Sequence, residues 1–164
     1  MIVRLAKAAC ASAVALFMAL VAFGNITDYG TNFAYVERVL EMDGVQGKES
    51  IAWRAVTSPA LHAAAYAAII ATEIAVAILI LLGALAMLGA LTAEAKTFKR
   101  AKTLAVLGLT LGFVLYEGGF IAIAGEWFAM WRSTGVDSVQ SAFRIAVTML
   151  GVLIFISLKD EDLG

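Results

Sequence analysis

The chain has 164 residues, 62% hydrophobic and only 15% charged, with Lys+Arg 12 nearly balancing Asp+Glu 13 and a single proline and cysteine. Soluble domains run roughly 45–50% apolar and about 25% charged. The composition therefore excludes a soluble globular domain, a disordered tail, a disulfide-framed secreted module and a basic nucleic-acid binder.

A lone Cys10 excludes an intramolecular disulfide and a C-x-x-C thiol oxidant. With His62 as the one histidine, bis-histidine haem ligation and a Cys/His zinc site lack ligands within the chain.

A bilayer core of about 30 Å needs about 20 mostly apolar residues per helix, and four stretches qualify: about 8–26, 61–91, 103–124 and 142–158. The first follows Arg4 and Lys7 and ends in small residues, as a signal peptide does, but the length of the run argues for a retained helix. The first connection, about 27–60, carries its own helical pattern. Phe33, Val36, Val39 and Leu40 recur every three to four residues after a candidate Asn32 cap, with Glu37, Arg38 and Glu41 on the other face. This predicts a short interfacial amphipathic helix. The second connection, about 92–102, concentrates Lys96, Lys99, Arg100 and Lys102, while the third, about 125–141, holds Glu126, Trp127, Trp131 and Asp137.

Orientation follows from basic residues near the span ends. Arg4, Lys7, Lys96, Lys99, Arg100, Lys102 and Lys159 fall on one side, against Arg38, Lys48, Arg54, Arg132 and Arg144 on the other. Both termini are predicted to be cytoplasmic, and the two longer connections periplasmic. The lysine cluster is read as a topology signal with anionic-lipid contact as an extra. Trp53, Trp127 and Trp131 lie where an outer aromatic belt would sit.

Close backbone approach through small residues is the expected packing device in lipid. The alanine-rich second span and the Gly108-x-x-x-Gly112 spacing of the third predict a tight intramolecular hairpin, with Gly118-Gly119 as a further close approach or a kink. Glu73 and Glu117 lie inside spans, where an ionisable group costs at least a few kcal/mol unless paired, protonated or hydrated. With a rise of 1.5 Å per residue, Glu73 is about 18 Å along its helix from Leu61 and Glu117 about 12 Å from Gly125. His62, Tyr66, Ile69 and Glu73 form one stripe.

The predicted site is thus a polar intramembrane seam of His62, Tyr66, Glu73 and Glu117. Asp43, Trp53, Arg54, Glu126, Trp127 and Arg144 are candidates at the periplasmic end. The seam reads in three ways: a structural register pin, a route for protons or a small cation, or a ligand site. His62 with Glu73, Glu117 and Glu126 gives enough donors for a metal, but the Glu-x-x-His repeats of di-iron bundles are absent and no metal site is assigned. No Walker loop, nucleophile elbow or dinucleotide fingerprint occurs, and no catalytic residue is named. No cofactor is predicted; a lipid or a quinone is the ligand that the seam would admit.

The segments Thr31 to Phe33, Val39 to Asp43, Trp53 to Ala55, Leu61-His62, Phe98 to Lys102, Gly108 to Phe113, Gly125 to Trp131 and Ala142 to Arg144 carry a resemblance over nearly the whole chain. It resembles the bacterial family of predicted small integral membrane proteins classed as a domain of unknown function. The resemblance implies a bacterial inner membrane and a periplasmic outer side, with no assigned activity to transfer. The expected fold is an all-α integral membrane bundle of four transmembrane helices with a short periplasmic interfacial helix. The expected function is that of a non-enzymatic accessory or stabilising subunit of a larger inner-membrane complex, respiratory or photosynthetic, with other integral membrane subunits as partners. A small oligomeric transporter or channel using Glu73 and Glu117 is the alternative, and a quinone- or metal-binding membrane protein the third reading.

Overall fold

The structure, a computed structural model, describes residues 1–161. Helix α1 spans Ile2–Thr27, α2 Tyr29–Leu40, α3 Pro59–Gly89, α4 Ala95–Ala101, α5 Thr103–Phe113 and α6 Val139–Ser157. After Phe113 the third span continues as a π-helical segment, Val114–Trp127, and short 3₁₀ turns occupy Ala52–Arg54 and Met130–Arg132. Four helical runs are long and apolar enough to cross a membrane: Ile2–Thr27, Pro59–Gly89, Ala95–Trp127 and Val139–Ser157. No named strand occurs among the described residues.

The four runs form a closed ring, with α1 against α3, α3 against α5, α5 and the π segment against α6, and α6 against α1. Small and flexible side chains fill its centre: Ala8, Ala11, Ala15 and Met18 of α1, Val76, Ile80 and Met87 of α3, Ala105 and Leu109 of α5, and Ala146 and Met149 of α6. Large apolar side chains such as Leu20, Phe23, Leu85, Leu107, Phe143 and Ile154 point outward, as lipid requires. A Cβ on Gly83 would lie 2.2 Å from the Ala105 nitrogen, and one on Gly108 2.9 Å from the Ile80 nitrogen. The α3–α5 crossing is therefore a backbone-to-backbone contact within one chain. Gly112 faces a different neighbour, Met149 of α6, whose sulfur would lie 2.5 Å from an added Cβ.

The expected second close approach at Gly118-Gly119 is not found. An added Cβ there would meet only side chains of the same segment, at 4.0 Å from Val114 and 3.8 Å from Leu115. The glycines lie instead inside the π winding, whose i→i+5 bonding still shows at its exit, where Phe128 N donates to Ile123 O at 3.0 Å. Asn32 is not a helix cap either. Asp28, with φ −110° and ψ 48°, precedes the first residue of α2, and Asn32 Nδ2 donates back one turn to the Asp28 carbonyl at 3.0 Å.

At the basic end, helix α1 begins ahead of its apolar stretch because its charges are used. Arg4 and Lys7 are buried. Arg4 donates to the Leu91 and Ala93 carbonyls at 3.1 and 2.5 Å, beyond the end of α3, and to Glu161 O at 2.6 Å. Lys7 and Lys102 converge on the end of α6, reaching Leu158 O at 2.7 and 3.1 Å and the two oxygens of Asp160 at 2.8 and 2.5 Å. Cations satisfying carbonyls at helix C-termini answer both the orphan acceptors and the helix dipole. The Phe98 ring lies under Arg4 at 5.0 Å and Lys102 at 5.9 Å. Burial raises the Asp160 carboxyl, but hydrogen bonds from Lys102 and Lys7 outweigh it and hold Asp160 below the usual carboxylate range.

The opposite end carries a cap with its own small core of Val39, Met42, Val45, Phe128, Ala129, Met130 and Val136. An antiparallel bridge joins Val45 to Ser133, and Ser133 Oγ donates to Asp43 O at 2.9 Å. The Tyr35 hydroxyl of α2 closes the cap onto the Val136 carbonyl. Met42 and Ala129, both buried, have φ of 55° and 53°, left-handed values that side chains seldom adopt. Met42 lies just past the end of α2, and Ala129 just ahead of the 3₁₀ turn Met130–Arg132.

Candidate functional site

Three of the four seam residues are buried on α3, and each is held by a particular partner. Tyr66 donates its hydroxyl to Asn25 O at 2.8 Å, near the C-terminal end of α1. The Tyr66 ring also packs against Tyr29 and Phe33 of α2, at centroid distances of 4.9 and 5.9 Å. Glu73 Oε2 accepts from Asn25 Nδ2 at 2.7 Å, and its carboxylate also takes the Tyr116 hydroxyl. Asn25 thus ties Tyr66 and Glu73 together from α1, while Tyr116 reaches the same carboxylate from the π segment.

These groups line a cavity of about 260 Å³ in the half of the bundle next to the cap. Its rim includes half-buried Asn32 and Ser138 and exposed Ser141. One turn further along α3, buried Val76 and Met149 of α6 both meet the face of Gly112.

Glu117 does not join this group. Its neighbour Tyr116 faces inward, which turns Glu117 to the exposed side of the π segment, and none of the described residues pairs with it. Arg144 is also exposed. It reaches only its own helix, Gln140 O at 3.3 Å and Ser141 Oγ at 3.2 Å, beside a shallow groove between α1 and α6. Glu126 is exposed on the last turn of the π segment.

His62 is fully buried but faces away from the cavity, toward the loop before α3 and toward α2. Nε2 lies 2.7 Å from Val56 O and Nδ1 3.5 Å from Glu37 Oε1.

Three outer-end candidates come together. The Arg54 guanidinium lies 4.8 Å over Trp127 and 5.5 Å over Trp53, whose rings meet edge to face at 5.6 Å, and Arg54 Nη1 donates to Trp127 O at 3.3 Å. Both indoles are exposed at the rim, as membrane-interface anchors are. Asp43 is separate, in a surface ion pair with Arg38 at 3.1 Å.

Residues 3–159 match the profile of predicted small integral membrane proteins, DUF2165. The chain belongs to that family. The description of DUF2165 gives a location and no activity. No curated protein and no solved structure matches the chain.

Sequence reasoning missed Asn25 and Asp160 as partners. Asn25 was the readable one, an amide in the last turn of an apolar span, where its side chain needs a neighbour. Glu37 and Glu41 were read only as a solvated face. Their i, i+4 spacing, pointing at the start of the following span, was the signal that could have marked them.

Proposed function

We propose that this protein is a non-enzymatic accessory subunit that packs against another integral membrane protein. One observation carries the reading. Glu117 stands on the outside of the bundle, ten residues inside the outer end of its span, without a partner among the described residues. A charged group on a lipid-facing helix costs about 2.5–3.5 kcal/mol at the centre of a span on insertion scales. A neighbouring helix bearing a hydrogen-bond donor or a cation at that depth removes this cost.

The interior points the same way. Glu73, Tyr66, Arg4, Lys7 and Lys102 all find partners within the chain. Transport through Glu73 and Glu117 is disfavoured because Glu73 is buried inside the bundle while Glu117 is exposed on its outside. For orientation, Lys96, Lys99, Arg100 and Lys159 remain exposed at the basic end, which supports placing that end in the cytoplasm of a bacterial inner membrane.

The test is solubilisation in a gentle detergent, a native gel, and mass spectrometry of what comigrates. The expected result is a complex larger than the chain in its micelle, retained in Glu117→Gln and lost in Glu117→Lys. The Glu117→Lys melting curve should match the wild type, showing an intact bundle. A solitary chain, or a complex indifferent to Glu117→Lys, refutes the proposal.

A further inference from the structure

On the outer side of the bundle, Glu37 on α2 and Glu41, one turn on at the cap of that helix, lie close to His62 in the first turn of α3. One ligand atom from each of the three falls within 4.8 Å of the other two. The hydrogen bonding of His62 fixes what that arrangement needs. Its Nε2 faces the Val56 carbonyl at 2.7 Å. A carbonyl only accepts, so Nε2 carries the hydrogen and donates it, and in the neutral ring Nδ1 is left with its lone pair. Nδ1 is buried, lacks a hydrogen-bond partner among the described residues and faces Glu37 Oε1 at 3.5 Å. A lone pair aimed at a carboxylate oxygen is repulsive unless a cation stands between them.

We infer that Glu37, Glu41 and His62 form a binding site for one divalent first-row transition-metal ion, with Nδ1 of His62 and one oxygen of each glutamate as ligands. Bonds of about 2.0–2.2 Å to nitrogen and oxygen place tetrahedral ligand atoms roughly 3.3–3.6 Å apart, which the 4.8 Å spread allows with a small inward turn of the half-buried glutamates. One imidazole with two carboxylates suits zinc, manganese or ferrous iron. Calcium and magnesium prefer all-oxygen sets, and the set has no thiolate or thioether for cuprous ion. The Val56 contact is the outer support that a ligating histidine usually has, its second ring N–H held by a backbone carbonyl. Three protein ligands leave a fourth position for water, on the side where Glu37 and Glu41 reach the surface. The site binds α2 to the start of α3 and does not depend on Glu117 or on any partner subunit.

The rival occupant is a proton on Nδ1, forming an imidazolium–Glu37 pair. The experiment separates the two. Full-length protein in detergent, stripped with a chelator, is titrated with zinc by calorimetry and with cobalt(II) by visible absorption. One equivalent of zinc is expected, with d–d bands from bound cobalt and a rise in melting temperature on zinc addition. Glu37→Gln and Glu41→Gln should each weaken binding at least ten-fold, while Glu49→Gln, at an exposed acid of the adjoining loop, leaves it unchanged. Absence of saturable one-equivalent binding in the wild type overturns the inference without reference to any variant. So does binding that survives both glutamate substitutions.

Discussion

Replacing Asp160 by Asn isolates the lock at the basic end. The side chain is 3% exposed and takes one hydrogen bond from each of two buried ammonium groups, Lys7 at 2.8 Å and Lys102 at 2.5 Å. Asparagine keeps the volume and removes the charge. Lys7 and Lys102 are then left with the Leu158 carbonyl as their common acceptor. A hydrogen bond to a charged group contributes about 1.5–3 kcal/mol, and removing one partner of a buried ion pair costs about 3–5 kcal/mol. The lock lies at the end of the bundle, next to water, so about 3 kcal/mol is expected, the low end of that range. Reversible unfolding by sodium dodecyl sulfate in mixed micelles, followed by far-ultraviolet circular dichroism, measures it. A cycle with Lys7→Met should return a coupling of about 1–3 kcal/mol. The pH dependence has a definite sign. The folded carboxyl is held below its unfolded value of about 3.9, so its stabilisation is full above that value and is lost as pH falls through the depressed one. Wild type should lose stability on acidification below about pH 4, and Asp160→Asn should lack that component. A variant within about 0.5 kcal/mol of wild type, or one with the same acid profile, refutes the reasoning.

Glu73→Leu leaves the Asn25 amide and Tyr116 hydroxyl without their acceptor and should cost about 1–3 kcal/mol in the same unfolding assay. Glu73→Gln keeps an acceptor and should cost less; equal losses would mean that hydrogen bonding at this carboxyl is not what holds the helices in register. Gly83→Val drives a side chain into the Ala105 backbone, 2.2 Å from where its Cβ must stand, and should exceed the usual overpacking cost of about 1–3 kcal/mol. Gly118→Ala, with no contact closer than 4.0 Å, should be nearly neutral. Similar yields of folded protein from these two variants would contradict the close α3–α5 crossing. Tyr35→Phe removes the bond to Val136 O and should cost about 1 kcal/mol and speed proteolysis between residues 133 and 138; unchanged cleavage would argue against the cap as a unit.

The spans were legible because lipid imposes a long apolar run with few charges, and that signal survives any detail of packing. The α3 stripe was legible for a similar reason, since steps of four, three and four residues put His62, Tyr66 and Glu73 on one helix face. What they would meet was not. Asn25 is 48 positions from Glu73 in sequence, and Asp160 153 from Lys7, so both pairings are set by the closure of the ring. Glu117 was misplaced because it was grouped with Glu73 on depth alone. At about 100° per residue it stands about 140° from buried Gly112, whereas Tyr116 stands only about 40° from it, so helical phase already assigned the inward place to Tyr116. The cap escaped because its closing contacts, Ser133 to Asp43 and Tyr35 to Val136, join residues 90 and 101 positions apart in sequence.

Glu73 and Glu117 show why a carboxyl inside a span is not by itself a transport signal. Both are acids at membrane depth in apolar sequence, and in a linear reading they are equivalent. In the ring, Glu73 has an amide donor from α1 and a hydroxyl from the π segment, and it joins three elements that no backbone hydrogen bond joins. Such a carboxyl resists movement, because shifting any one helix strands a donor. Among the described residues Glu117 has no comparable tie. An acid with no donor inside the chain either draws one from outside or destabilises the span that carries it. The surface around Glu117, more than the interior around Glu73, is where selection for a partner would act.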